Sequence, residues 1–201
     1  ANSSAPTLQF LGAAGGLTGS KFLLSINSDQ VLIDCGLFQG LKELRERNWA
    51  PLPIDLARLR AVILTHAHID HSGYLPRVVA KGFKGPVFAT PGTCDLLRVM
   101  LPDAAHLQEE EARYANRKGY SKHAPALPLY TVEDAEAALK LLRPVRAGEK
   151  IEAAKGVDVG FGRVGHILGA GSARLVFAVN GQKKTLLDSG DLGRYDRPIL
   201  K

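Results

Sequence analysis

Residues 61–71 read Ala61-Val62-Ile63-Leu64-Thr65-His66-Ala67-His68-Ile69-Asp70-His71. The first four are an apolar run of strand length that stops abruptly where polar and ionisable residues begin, so a buried strand delivers a polar cluster to its C-terminal edge. At a strand end, side chains two apart point to the same side, which lets His66 and His68 converge on one ion. Asp70 and His71, where the chain turns toward a helix, can aim at a second ion nearby. Neutral imidazoles and a carboxylate suit borderline cations such as zinc, and an acid shared by two cations offsets their repulsion. An isolated histidine is more often a satisfied core group than a ligand. Three histidines and an aspartate crowded at one strand end would repel one another if protonated, and metal binding resolves that conflict.

Working outward, Leu8 to Leu11, Phe22 to Ile26 and Val31 to Ile33 read as consecutive strands of one sheet around the Gly-rich stretch 12–19 and the polar turn 27–29. After the histidine cluster the pattern predicts a short helix from Tyr74 to Lys81 and a strand from Pro86 to Thr90, the alternation of a layered α/β protein. A longer helical region follows, with Leu96, Leu97 and Met100 at helical spacing and a charged run to Lys118 that reads as a solvated face. Residues 119–129 read as a loop. Thr131 and Asp134 have the spacing of a capping box before a helix through Leu142 that should stop at Pro144. Val157 to Phe161, Arg174 to Val179 and Thr185 to Leu187 read as strands, the last running into Asp188-Ser189-Gly190-Asp191. Two further candidate ligands, His166 and Asp191, sit in glycine-flanked loops whose tight turns can bring them up to a crowded site.

The chain has 201 residues, 45% hydrophobic and 23% charged, the balance of a globular protein with one substantial core. Its 21 Gly and 11 Pro suit many short strands and exclude a helical bundle or a coiled coil. Lys and Arg number 26 against 20 Asp and Glu, a net charge of +6 that makes a polyanion such as nucleic acid a candidate partner. Arg45, Arg47, Arg113, Arg117, Lys118 and Lys122 are candidate phosphate contacts, whereas an aromatic content of 6% gives little support to base stacking. His106 and His123 are assigned surface or packing roles. Two cysteines, Cys35 and Cys94, provide no disulfide framework and favour a reducing compartment. With no basic segment ahead of an apolar stretch and no apolar run of about 18 residues, neither a signal peptide nor a membrane span is expected, and the expected location is cytoplasmic.

The set His66-x-His68-x-Asp70-His71, with the later His166 and Asp191, resembles the motif series of the metallo-β-lactamase superfamily. The segments Thr18-Gly19-Ser20, Asp34-Cys35-Gly36, Ser72 to Pro76, Ala105 to Glu110, Gly165 to Ala170 and Ser189 to Arg194 are similar to those of the β-CASP ribonucleases, which are related to the cleavage and polyadenylation specificity factor endonuclease. The resemblance implies an αββα sandwich, incomplete at the C-terminus, with residues 1–201 as a metallo-β-lactamase domain lacking the β-CASP cap. The family's cap, its further metal-binding His and the His that protonates the leaving group find no match within 201 residues, so the chain is expected to be a fragment, an isolated core or a shortened homologue.

The same resemblance implies two zinc ions, with manganese as the alternative. His66, His68 and His166 would hold one, Asp70 and His71 the other, and Asp191 would bridge them, while Asp34 orients the site through hydrogen bonds. Asp70 and Asp191 are the expected catalytic acids. The implied activity is hydrolysis of RNA phosphodiester bonds by a water that the metal pair ionises. Two rivals stand beside it: a hydrolase of another ester, a thioester or a β-lactam on the same scaffold, and an inactive RNA-binding scaffold. RNA is the expected partner, and a homo-oligomer is left open.

Overall fold

A computed structural model of the chain describes residues 5–194 and 196. In chain order the elements are β1 (Thr7–Gly12), β2 (Lys21–Ile26), β3 (Asp29–Ile33), α1 (Lys42–Glu46), a 3-10 turn (Arg47–Trp49), β4 (Leu59–Ile63), α2 (Ile69–Ser72), α3 (Leu75–Ala80), β5 (Val87–Ala89), α4 (Pro91–Lys118), α5 (Val132–Leu139), β6 (Leu142–Pro144), β7 (Lys150–Ala154), β8 (Val157–Arg163), β9 (Gly171–Val179) and β10 (Gln182–Asp188). Strands β1 to β6 form one sheet in sequence order, and β7 to β10 form a second, wholly antiparallel sheet of consecutive hairpins. In the first sheet β1, β2 and β3 pair antiparallel, and β3, β4, β5 and β6 pair parallel.

The near-continuous apolar runs of the first sheet follow from burial on both faces. Along β2, β3 and β4 alternate residues divide between two cores. Leu23, Leu32, Val62 and Leu64 pack with Leu75, Val78, Leu97 and Leu101 of α3 and α4 and with Ala135 and Ala138 of α5. Leu24, Val31, Ile33, Ala61 and Ile63 pack instead against Val157, Val159, Phe161, Ala173 and Leu175 of the second sheet. The layers are therefore helices, sheet and sheet. The outward residues Asp158, Arg174 and Leu187 of the second sheet are exposed, and among the described residues no helical layer covers them. Within that set β10 is an edge strand, with Lys183 and Lys184 exposed. Among the described residues no helix is long and apolar enough to cross a membrane.

One element differs from the sequence reading, and the long helix follows it. Helix α5 begins with the expected capping box, Thr131 Oγ1 accepting from Asp134 N at 3.3 Å and Asp134 Oδ2 from Thr131 N at 2.9 Å, but it ends at Leu139. Leu142, assigned to the helix by its spacing, instead pairs with Val87 in the parallel ladder, because pairing on the open side of β5 outweighs three residues of helical periodicity. Helix α4 runs through Pro102 without a break and ends at Gly119 in the left-handed conformation. Its buried residues Leu97, Leu101, Ala105, Ala112 and Ala115 hold one face to the core across the proline. Strands β6 and β7 and helix α1 lack a decisive signal in the sequence.

Leu97 is fully buried between α4 and the first sheet, whereas Val99 two residues on is 70% exposed. Leu97→Ala should cost about 2–5 kcal/mol in urea unfolding, and Val99→Ala should stay within about 0.5 kcal/mol of the parent.

Candidate metal centre

Parallel strands β3 and β4 end side by side, and both deliver acids or histidines at the same edge. Asp34 follows β3 with φ at +56°, a left-handed turn that aspartate tolerates better than most residues. Its carboxylate is fully buried. It accepts from Thr65 N at 2.8 Å, from Thr65 Oγ1 at 2.9 and 3.0 Å, from Ser20 Oγ at 3.4 Å and from His71 Nδ1 at 2.7 Å. A carboxylate only accepts, so His71 must carry a proton on Nδ1, and in the neutral ring Nε2 is left with a lone pair facing the cleft. The same logic passes through Thr65. Its single hydroxyl proton goes to Asp34, so at 3.0 Å the oxygen accepts from His66 Nδ1, and His66 Nε2 is likewise left with a lone pair.

Those lone pairs meet others. His66 Nε2 lies 3.1 Å from His68 Nδ1, which lies 3.2 Å from His166 Nε2. Asp191 Oδ2 stands 3.5 Å from His166 Nε2 and 3.8 Å from His66 Nε2, while its other oxygen, Oδ1, is 3.4 Å from His71 Nε2. His71 Nε2 is also 3.9 Å from Asp70 Oδ2. The donor atoms of His66, His68, His166 and Asp191 all fall within 4.8 Å of one another. Ligands 2.0–2.1 Å from a tetrahedral centre stand ~3.3 Å apart, so the imidazole spacings fit one divalent cation. Four of the six expected ligands thus form one compact group, and Asp70 and His71 stand beside it, with His71 Nε2 facing the other oxygen of Asp191. Arg113 does not join a phosphate-facing cluster here, since its side chain pairs with Glu110.

The electrostatics favour ligation over protonation at His66. Burial and the neighbouring His71, His68 and His166 bring its pKa down to about 3, so the ring is neutral at any pH near 7. At His71 burial pushes down, but the hydrogen bond to Asp34 and the charges of Asp34, Asp70 and Asp191 outweigh it and raise the pKa. Asp188, at the end of β10, has its pKa raised by burial and by the negative charge of Asp34, against the opposing hydrogen bond from Gly190 N at 2.8 Å.

Two glycines allow the loops to meet. Gly36 lies so close to α2 that a Cβ there would collide with the carbonyl oxygen of Asp70, and a Cβ at Gly193 would collide with that of Gly165, next to His166. The backbone is stitched across these contacts: Ser20 N to Asp70 O at 2.8 Å, Cys35 N to His71 O at 2.7 Å and Gly193 N to Val164 O at 2.9 Å.

Thr65 and Lys21 were not singled out by sequence reading. Thr65 had a signal, a hydroxyl residue at the strand end beside the first histidine. Lys21 had a weaker one, a lysine opening an otherwise apolar strand. It is 1% exposed, donates to Gly19 O at 3.1 Å and to Gly36 O, and lies 4.4 Å from the ring centroid of Phe38 and 5.1 Å from that of Tyr74. Burial, reinforced by the charge of Arg47 against an opposing contribution from Cys35, lowers its pKa from 10.5 to about 8. Between those values the unfolded chain binds more protons than the folded one, so Lys21 makes stability rise with pH from about 8 to 10.5. Burial raises the pKa of Cys35, Cys94 and Tyr130, which pulls stability the other way above about pH 9, so the readout is a difference: in urea unfolding of chelator-treated protein the stability of the parent relative to Lys21→Met should rise between pH 8 and 10.5.

Residues 29–199 match a family described as the beta-lactamase superfamily domain. Over 189 residues the chain is 39% identical to Ribonuclease TTHA0252 of Thermus thermophilus, a match covering 94% of this chain and 38% of that protein. It is 32% identical over 191 residues to Transcription termination factor FttA of Methanosarcina mazei, covering 94% of this chain and 28% of the relative. It is 28% identical over 192 residues to Probable RNase MJ4 of Methanocaldococcus jannaschii, covering 96% and 40%. The chain spans two-fifths or less of the length of these relatives. Among solved structures, a metallo-β-lactamase of Cronobacter sakazakii superposes with a TM-score of 0.55 at 21% identity, over 98% of this chain and 66% of the other. The subclass B3 metallo-β-lactamase BJP-1 of Bradyrhizobium japonicum gives 0.53 at 17% identity, over 91% and 59%.

Proposed function

This chain belongs to the beta-lactamase superfamily, and from that membership we propose that it is the metallo-β-lactamase part, residues 1–201, of a β-CASP-type ribonuclease that hydrolyses RNA phosphodiester bonds. The carrying observation is Asp191, whose two carboxylate oxygens face different nitrogen groups, Oδ2 the histidine trio and Oδ1 His71. Two of the relatives are named as ribonucleases, which supports RNA over the other electrophiles this scaffold can serve. The positive net charge suits a polyanionic substrate.

In this reading His66, His68 and His166 would hold one divalent cation, Asp70 and His71 would serve a second, and Asp191 would be the acid available to both. Zinc suits the nitrogen-rich donors, with manganese as the alternative for the position richer in carboxylate. When bound, such a pair lowers the pKa of coordinated water from 15.7 toward about 7 and neutralises charge gathering on phosphoryl oxygens. The chain's own residues do the rest. Asp34 holds both His71 and, through Thr65, His66 in the tautomer whose Nε2 can donate an electron pair. Asp70 accepts a hydrogen bond from the attacking water and orients it toward phosphorus. A cytoplasmic setting fits the two buried, unpaired thiols of Cys35 and Cys94.

Metal analysis should return two divalent ions per chain, and labelled RNA should be cleaved in a chelator-sensitive way while nitrocefin and a glutathione thioester are not. Asp191→Ala should lower RNA turnover at least 100-fold, an order set by the loss of a shared ligand, while thermal unfolding of the metal-free protein barely moves. Full activity in that variant would defeat the two-ion reading, and nitrocefin turnover exceeding RNA cleavage would replace the substrate.

A further inference from the structure

A second feature lies outside the metal centre. The segment after β3 and the C-terminal half of α4, with the loop that follows it, enclose an open groove of about 960 Å³. Phe38, Arg45 and Trp49 line one wall, and Ala112, Tyr120 and His123 line the other, and none of the six candidate ligands lines it. The groove is nevertheless tied to the site. Leu37, at its near end, donates its backbone N–H to Ile69 O at 3.0 Å, and Ile69 opens the helix that carries Asp70 and His71.

We propose that this groove binds an unpaired RNA strand, with bases stacked on Trp49 and Tyr120 and phosphates met by the arginines and lysines around them. The choice of RNA rests on the nuclease reading above. The groove itself stands on two observations. First, among the described residues the large exposed aromatic side chains are Phe10, Trp49, Tyr114 and Tyr120. Trp49 and Tyr120, 51% and 60% exposed, line the groove, and the Tyr114 ring lies 6.1 Å from that of Tyr120. Two of these four rings therefore line the groove and a third, Tyr114, stands beside Tyr120, whereas Phe10 packs edge-on to Phe22 in the first sheet; the flat rings at the groove can stack on bases.

Second, the charge around those rings is complementary to a polyanion. Residues 114–132 contain Arg117, Lys118 and Lys122 and no acid, in a chain with 20 acidic residues. Arg117 and Lys118 lie 5.3 and 5.9 Å from the Tyr114 ring centroid, and Arg77 lies 5.7 Å from that of Trp49. Of the charged side chains that line the groove itself, Arg45 is basic and Glu46 and Glu111 are acidic, Glu46 being paired with Lys42 at 3.7 Å, so the cations that would meet phosphates stand on its flanks. Cations interleaved with exposed rings are the surface that single strands need. A duplex offers its phosphates but keeps its bases stacked on each other.

Trp49 is the chain's single tryptophan, so its emission reports on the groove directly. The test uses the whole chain in chelator, which prevents cleavage, with a fluorescein-labelled oligouridylate as the probe. Binding should quench Trp49 emission with the same midpoint as the rise in probe anisotropy. Trp49→Ala with Tyr120→Ala should raise Kd about ten-fold or more, Trp49→Phe with Tyr120→Phe should restore it, and Val99→Ala, on an exposed part of α4 outside the groove, should leave it within about two-fold. Lys118→Ala with Lys122→Ala should flatten the slope of log Kd against log salt by about 1.4. An unchanged Kd in the aromatic double variant, unchanged emission at saturating probe, or duplex RNA binding as tightly as the single strand overturns the proposal. So does capture of an unstructured acidic peptide in the groove with equal affinity. If the aromatic variant binds normally while chelator-sensitive cleavage persists, the groove falls and the nuclease reading survives. If the strand occupies the groove but added metal restores no cleavage, the groove stands and the nuclease reading falls.

Discussion

The carboxylate of Asp34 is fully buried and sits between two strand ends, accepting hydrogen bonds from Ser20, Thr65 and His71. A buried charge of this kind is tolerated only because every nearby polar hydrogen is aimed at it. That requirement fixes the loop after β4, since Thr65 must present both its N–H and its hydroxyl. It also fixes which nitrogens of His66 and His71 keep their protons. One carboxylate with no lone pair facing the cleft thereby determines the donor atoms that do face it.

The architecture supplies the rigidity that this arrangement needs. Strands β3 and β4 are packed on both faces, with alternate residues committed to the helices or to the second sheet, so their ends cannot slide without moving two cores. His166 and Asp191 arrive differently, from loops at the ends of the antiparallel hairpins. Their positions rest on the backbone contact between Gly193 and Gly165 and on Gly171 N bonded to Thr65 O at 2.9 Å. Two independent sheets therefore contribute to one cleft.

Much of this was legible in the sequence where chemistry is local. His66, His68, Asp70 and His71 lie within six residues, and the apolar run before them marks the strand that presents them. The layered α/β class, most strands and the capping box at Thr131 follow from periodicity and turn chemistry in the same way. What escaped depends on distant partners. Leu142 has helical spacing but is claimed by the open side of β5. Lys21 looks like an ordinary surface cation until Gly36, Phe38 and Tyr74 close around it. An aromatic content of 6% hid the fact that three of the exposed rings share one neighbourhood, because composition carries no address.

Among the described residues β10 borders the second sheet, and it carries adjacent exposed lysines at 183 and 184. A neighbouring molecule extending the sheet there in antiparallel fashion would place like charges near one another while desolvating both. The strand thus discourages self-templated growth of fibrils at the border where free amide and carbonyl groups would otherwise invite it.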